Sequence, residues 1–272
     1  MNVLPINNIN TRKPVFKSCF RLYNPKTIKN VDCFGKDFVR TTTKLYREDL
    51  DWNTFIKYIQ YNFADKEKVN VYSLASSDGS EAYSFAISVL DKIPKNKQSK
   101  FLPVYASDID KEVIKSAQKR RINLDKIEIF RAENYYGVNL HKYIEKPGVS
   151  VFIKGDGMSD TDYLSSYELK DNVKKAVKFK ISDILKELNN IKDDGNTIVM
   201  CRNVFPYLNA EYTEKVLDAA KNKLKHGSLF IIGDYDLMAK IDYMMPENGF
   251  FKPFYNGSII EGNTIYQRGY HI

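Results

Sequence analysis

Residues 69 to 84 read VNVYSLASSDGSEAYS, and their order decides the fold. Val69 to Ala75 is a short apolar run with the pattern of a buried strand, and Ser76-Ser77-Asp78-Gly79 is turn chemistry. From about Ser80 to Leu90 the spacing becomes helical and brings Ala82, Phe85, Ala86 and Val89 to one side. Val104 to Ser107 follows as a second strand ending in Asp108 and Asp110, and Lys111 to Lys119 is again helical. Strand, turn, helix, strand, acid is the order of a nucleotide-binding βαβ unit in an α/β, mostly parallel sheet.

That order has a chemical reading. A turn of small residues lets the backbone approach a ligand, and the helix after it presents unpaired N–H groups. An acid at the end of the second strand accepts hydrogen bonds from a ribose diol. Asp108 holds that place; the plainer alternative is an ordinary strand-end acid. The turn has one glycine and no phosphate-loop lysine, which disfavours a pyrophosphate and suits an adenosine ligand such as S-adenosylmethionine.

Further along, Thr197 to Met200 reads as a buried strand that stops at Cys201-Arg202-Asn203, where an open α/β sheet places its ligand crevice. Pro206 delays the next helix, which begins near Asn209. Arg202, Asn203 and Tyr207 on this elbow either line a cofactor pocket or cap and solvate the strand end. Toward the C-terminus, Tyr212 to Leu224 is helical with Gly227 as its C-cap, and Ser228 to Gly233 is a buried strand. Ser258 to Glu261 and Thr264 to Arg268 flank Gly262-Asn263 as an antiparallel hairpin. Asp51 caps a helix running to about Phe63, with Trp52, Phe55, Ile56 and Ile59 as its apolar stripe.

Composition narrows the chemistry. The chain has 272 residues, 43% of them hydrophobic, with no apolar run of the roughly 20 residues a membrane span needs. No signal-peptide core stands at the N-terminus, and a cytoplasmic protein is expected. Three cysteines, Cys19, Cys33 and Cys201, and three histidines, His141, His226 and His271, are scattered. They argue against a disulfide framework, a metal site and a hydrolytic triad, and His226 reads as a surface residue at a helix end. The formal charge is +8, and residues 1 to 47 hold ten basic residues against Asp32 and Asp37, leaving 32 charges of each sign in the rest. A basic N-terminal segment either attracts an acidic partner (nucleic acid, a protein helix, a membrane surface) or is a solvated leader.

Three motifs in order, Asp78-Gly79-Ser80-Glu81-Ala82-Tyr83-Ser84, Ala106-Ser107-Asp108-Ile109-Asp110 and Cys201-Arg202-Asn203-Val204-Phe205-Pro206-Tyr207-Leu208, resemble the CheR-type methyltransferases. Those enzymes methylate chemoreceptor glutamates with S-adenosylmethionine. Thr43-Lys44-Leu45-Tyr46-Arg47 is similar to the family's Thr-x-Phe-Phe-Arg signature, and the resemblance runs from about residue 40 to 270. It implies a class I, Rossmann-like methyltransferase fold closed by the antiparallel C-terminal hairpin. It also implies a methyltransferase domain over 48–272, a shortened basic segment over 1–47 and a small inserted subdomain at 135–175.

The same resemblance implies roles. Thr43 and Arg47 lie beside the methionine end of the cofactor, with Thr41 in the same binding set although asparagine is common at its place. Glu81 faces that end and Asp108 binds the ribose. Asp183 and Ile184, in Lys178-Phe179-Lys180-Ile181-Ser182-Asp183-Ile184-Leu185, take the positions of an Asn-Leu pair near the adenine. Arg202 and Asn203 match cofactor-contacting residues, and Tyr207, the candidate catalytic residue, matches a tyrosine near the transferred methyl.

The chain departs from the family at several points. One glutamate and a proline are absent around Glu81, Asp183 is an acceptor where asparagine is an amide, and Leu45-Tyr46 replace two phenylalanines. With about forty residues ahead of the Thr43–Arg47 segment, the resemblance implies a shortened form of the family's helical N-terminal domain. The resulting expectation is a protein-glutamate carboxyl O-methyltransferase with an acidic protein substrate. The alternatives are a methyltransferase-like binding module without turnover and, on charge alone, a nucleic-acid methyltransferase. Methyl transfer to a carboxylate is an in-line displacement needing alignment and exclusion of water but no general base. A site without histidine suits it. Nitrogen or RNA acceptors would call for an Asn/Asp-Pro-Pro-Tyr/Phe element, and Asn203-Val204-Phe205-Pro206-Tyr207 lacks the paired prolines.

Overall fold

A computed structural model of the chain describes residues 43–119, 121–145, 150–152, 163–233, 236, 252–253 and 265–267. Thr41, nearly all of the basic segment, Cys19, Cys33, His271 and the first arm and turn of the expected C-terminal hairpin lie outside the described residues. Contacts divide the chain into 1–40 and 41–272, and every described residue belongs to the second unit. Leu45 and Tyr46, near the end of the basic segment, are fully buried.

Helix α1, Trp52–Asn62, starts where Asp51 accepts the N–H groups of Asn53 and Thr54, and it buries Trp52, Phe55, Ile56, Tyr58 and Ile59. Strand β1, Asn70–Leu74, leads through the Ser-Ser-Asp-Gly turn into α2, Ser80–Lys92, in which every residue from Ala82 to Val89 is buried. A short α3, Lys95–Gln98, precedes β2, Val104–Asp108, and α4, Lys111–Gln118, which Asp110 caps. Then come β3, Arg121–Leu124, α5, Lys126–Phe130, β4, Ile144–Glu145, β5, Ser150–Phe152, and β6, Tyr163–Leu169. The chain continues through α6, Asp171–Ala176, β7, Val177–Ile181, α7, Ile184–Asn190, and β8, Thr197–Met200. Helix α8, Ala210–Lys223, β9, Leu229–Ile231, β10, Lys252–Pro253, and β11, Ile265–Gln267, complete the described α-helices and strands.

The main sheet has the order β10-β11-β9-β8-β1-β2-β7. Its five central strands, β9 to β7, pair in parallel, and β11 is antiparallel to both β9 and β10. An antiparallel pair closing a parallel sheet is the arrangement expected of class I methyltransferases. The second arm of the expected hairpin contains β11, whose described partners are β9 and β10. A second, antiparallel sheet is built as β3-β6-β4, with β5 also on β6.

Two local expectations change. The C-cap of α8 is Leu224, not Gly227, since Leu224 already has an extended backbone. Gly227 comes three residues later, with φ +93°, where the chain passes close to the Gly195 carbonyl. His226 is half-buried there rather than on an open surface, and burial lowers its pKa.

The sheet topology fixes where a ligand sits. Strands β2 and β7 extend the sheet to one side of β1, and β8 and β9 extend it to the other. The order reverses between β1 and β8, so the connections leave their carboxyl ends in opposite directions and open a crevice.

Candidate functional site

The loop after β1 bends sharply. Ala75, Ser77 and Gly79 all have positive φ, at +53°, +50° and +87°. Two of them are not glycine, so the conformation is imposed by partners. Ser76 donates its N–H to the Ser107 carbonyl at 2.9 Å, and Ser77 donates to Asp108 Oδ2 at 2.8 Å. Asp78 accepts from both the N–H and the hydroxyl of Ser80, closing the turn at the start of α2. At Gly79 a Cβ would lie 2.6 Å from Phe179 Cζ, so the ring of β7 seals this turn.

Asp108 thus ends β2 against the β1 loop, where its other oxygen accepts from the Asp110 N–H at 2.9 Å. Burial raises its pKa, opposed by those N–H bonds. The β7 end joins the same place through Ser182, which donates its N–H to the Asp108 carbonyl at 2.9 Å. Next to it, Asp183 Oδ1 caps α7 by accepting from Leu185 and Lys186, and Oδ2 accepts from the Tyr212 hydroxyl. An adenine amino group would have to share these oxygens. Ile184 is buried as an apolar neighbour.

The opposite side of the crevice carries charge. Arg202, 2% exposed, donates Nη1 to Glu81 Oε2 at 3.2 Å and pairs through Nη2 with Asp49. Its guanidinium stands 5.7 Å from the centre of the Trp52 ring. Arg47 Nε is 3.9 Å from the same Asp49 carboxylate, whose second oxygen accepts from Asn203 Nδ2 at 2.6 Å. Glu81 also accepts from the Ser73 hydroxyl at 2.8 Å, and burial raises its pKa against the pull of Arg202. Three residues marked in the sequence, Arg47, Arg202 and Asn203, therefore meet around one that was not marked, Asp49, and Glu81 joins them through Arg202.

The Thr43–Arg47 segment reaches this cluster because its middle is buried. Leu45 donates its N–H to Glu128 Oε1 at 2.9 Å, and Tyr46, at φ +51°, donates to Ser84 Oγ at 2.8 Å. The Tyr46 hydroxyl accepts from Ser88, which satisfies the polar atom that tyrosine adds where phenylalanine is usual. Thr43 is half-buried at the start of this segment. Tyr207 is half-buried in a single 3-10 turn, Phe205–Tyr207, built around Pro206, before Asn209 caps α8.

Sequence reasoning missed Asp49, Asp236 and Glu128. Asp236 accepts from the N–H groups of Gly233, Asn203 and Phe205. The available signals were short spacings: Asp49 lies two residues after Arg47, and Asp236 three after Gly233.

An amino-acid end carries one carboxylate and one ammonium, and this side of the crevice offers guanidinium and carboxylate groups together. The other side offers a strand-end carboxylate to a diol. Such a donor set fits S-adenosylmethionine, and among the described residues no acid, histidine and cysteine cluster suits a metal ion.

An open α/β sheet with these groups at its strand ends defines a Rossmann-like nucleoside-cofactor domain. Residues 41–146 and 158–248 match the family model described as CheR methyltransferase, SAM binding domain, and the chain belongs to that family. It is 22% identical over 193 residues to chemotaxis protein methyltransferase 2 of Vibrio cholerae, covering 69% of this chain and 60% of that protein. Chemotaxis protein methyltransferase 1 of the same organism is 27% identical over 62% of this chain and 54% of its own length. The chain thus spans between half and two thirds of these relatives. The Listeria innocua chemotaxis protein methyltransferase is 26% identical over 68% of this chain and 60% of its own length. Among solved structures, the magnesium protoporphyrin IX methyltransferase of Synechocystis PCC 6803 is 13% identical with a TM-score of 0.39, covering 80% of this chain and 78% of that one.

Proposed function

We propose that the chain is an S-adenosylmethionine-dependent carboxyl O-methyltransferase acting on glutamate side chains of an acidic protein. The family membership and the clustering of Arg47, Arg202 and Asn203 about Asp49, with Glu81 paired to Arg202, support this reading, and the cluster is the observation that carries it. The relatives' names, chemotaxis protein methyltransferase, favour receptor-like glutamates as the acceptor. Placement in the cytoplasm is part of the same proposal, and cell fractionation is its check.

Bound cofactor supplies an electrophilic methyl on a sulfonium. The protein's share is orientation: Asp108 takes the ribose, Arg47 and Arg202 take a carboxylate, and Glu81 takes an ammonium. Thr41 and Thr43 belong to the same binding segment, and Asp183 and Ile184 flank the adenine. Tyr207 positions the acceptor near the methyl. A carboxylate acceptor is already a nucleophile at neutral pH, so no base is needed.

The small antiparallel sheet, with the segment 135–175, is assigned as an inserted subdomain, and the basic N-terminal segment as the surface that attracts the acidic partner. The test is transfer of labelled methyl groups to an acidic, glutamate-rich receptor domain. Base-labile label on the protein supports glutamate esters. Base-stable label on RNA would favour a nucleic-acid acceptor, and cofactor binding with no label on any acceptor would favour a binding module.

A further inference from the structure

The elbow after β8 holds a conformation that its own residues do not enforce. Asn203 has φ +60°, a region asparagine tolerates but does not prefer. Its N–H donates to Asp236 Oδ2 at 2.5 Å, and the Gly233 N–H donates to the same oxygen at 2.8 Å. The Phe205 N–H donates to Oδ1 at 3.0 Å. A fully buried carboxylate accepting from two chain segments is a fixed anchor, since charge-assisted bonds are about twice as strong as neutral ones. Gly233 supports the contact from beside it: a Cβ there would run into the Asn203 side chain.

Asn203 is consequently held at two points. Asp236 fixes its backbone, and Asp49, which also pairs with Arg202, accepts from its side-chain amide. We propose that Asp236 is a positioning residue for cofactor binding: it locks the Asn203–Phe205 elbow and thereby sets Arg202 and Asn203 at the crevice. This rests on the cofactor reading above but adds a residue that neither the motifs nor the relatives assign.

The anchor is at full strength only while it is ionised, because protonation removes acceptor capacity from one oxygen and the charge that strengthens all three bonds. Burial pushes Asp236 up to about 6 despite its backbone N–H bonds. Among the described residues, the charged and titratable groups around the elbow are Cys201, Arg202 and Tyr207 on its own stretch after β8, Arg47 and Asp49 before α1 and Glu81 on α2. The Cys201 thiol, raised by burial and by Asp236, stays neutral over the relevant range.

Two measurements test the inference on the full chain. In wild-type protein, the amide resonances of Asn203, Phe205 and Gly233 are expected to titrate together with a midpoint near 6, and affinity for S-adenosylhomocysteine to fall as pH drops through it. Asp236→Asn is expected to weaken that affinity at pH 7.5 by about tenfold or more and to flatten its pH dependence, with Asp236→Glu recovering part of the loss. Amides that do not titrate together, or an Asp236→Asn variant with wild-type affinity, overturn it. The amide titration needs no variant, so poor folding of the substituted protein leaves the inference testable. Wild-type protein that binds no S-adenosylhomocysteine would overturn the cofactor reading itself, whereas wild-type binding with an unaffected variant removes only Asp236's part.

Discussion

Asp49 and Arg202 stand 153 positions apart in the chain and form a buried ion pair that joins the stretch just before α1 to the end of β8. Arg202 has a second carboxylate partner in Glu81, so the guanidinium is held from two elements at once. Asp49 likewise serves Arg202, Asn203 and Arg47. Removing one partner of a buried pair costs about 3 to 5 kcal/mol, because the remaining charge stays out of water. Asp49→Ala is therefore expected to lower unfolding free energy by about 3 kcal/mol in urea titrations. Asp49→Ala and Glu81→Gln together are expected to be non-additive, since both act on Arg202.

Asp108 organises the β1 loop as well as the expected ribose contact. Asp108→Asn retains one acceptor oxygen but loses the charge that both the Ser77 and Asp110 N–H groups address. Affinity for S-adenosylhomocysteine is expected to drop by about tenfold or more by calorimetry, in line with hydrogen bonds to charged groups.

Gly79 separates two kinds of strain. Its φ of +87° disfavours any side chain, and a Cβ would lie 2.6 Å from the Phe179 ring. Gly79→Ala is expected to destabilise the fold by about 1 to 3 kcal/mol. Adding Phe179→Leu should relieve the ring contact and leave the backbone cost, so denaturant midpoints of the single and double variants would resolve the two.

Glu128 gives the stability a pH dependence of definite sign. It is the capping-box residue of α5 and also accepts from the Leu45 N–H, and burial raises its pKa from 4.5 to about 7. The folded group holds its proton to higher pH than the unfolded one, so its contribution is present below pH 4.5 and is lost as pH rises through about 7. The difference corresponds to about 3 kcal/mol. Glu128→Gln is expected to flatten the stability profile between pH 5 and 8, read as denaturant midpoints, relative to wild type.

The βαβ order was legible because strand and helix periods change at the Ser-Ser-Asp-Gly turn, and turn chemistry is local. Asp108, Arg202 and Asn203 stood out because each directly follows a strand, whereas Glu81 was marked only through the resemblance to the family. Asp49 was not, because the segment from Arg47 to Asp51 has no period and its partner lies on β8. Asp236 depends on β9 lying beside β8, a register that no single stretch of sequence carries. The C-cap of α8 was misassigned because Gly227 has the left-handed backbone of a cap but uses it to pass Gly195, after the helix has already ended at Leu224.

The most direct test is isothermal titration of the folded wild-type chain with S-adenosylhomocysteine. The account predicts one saturable site per chain whose affinity is weakened by Asp108→Asn and by Asp49→Asn, on opposite sides of the crevice. Folded protein that gives no binding isotherm, or binding untouched by both substitutions, would contradict it.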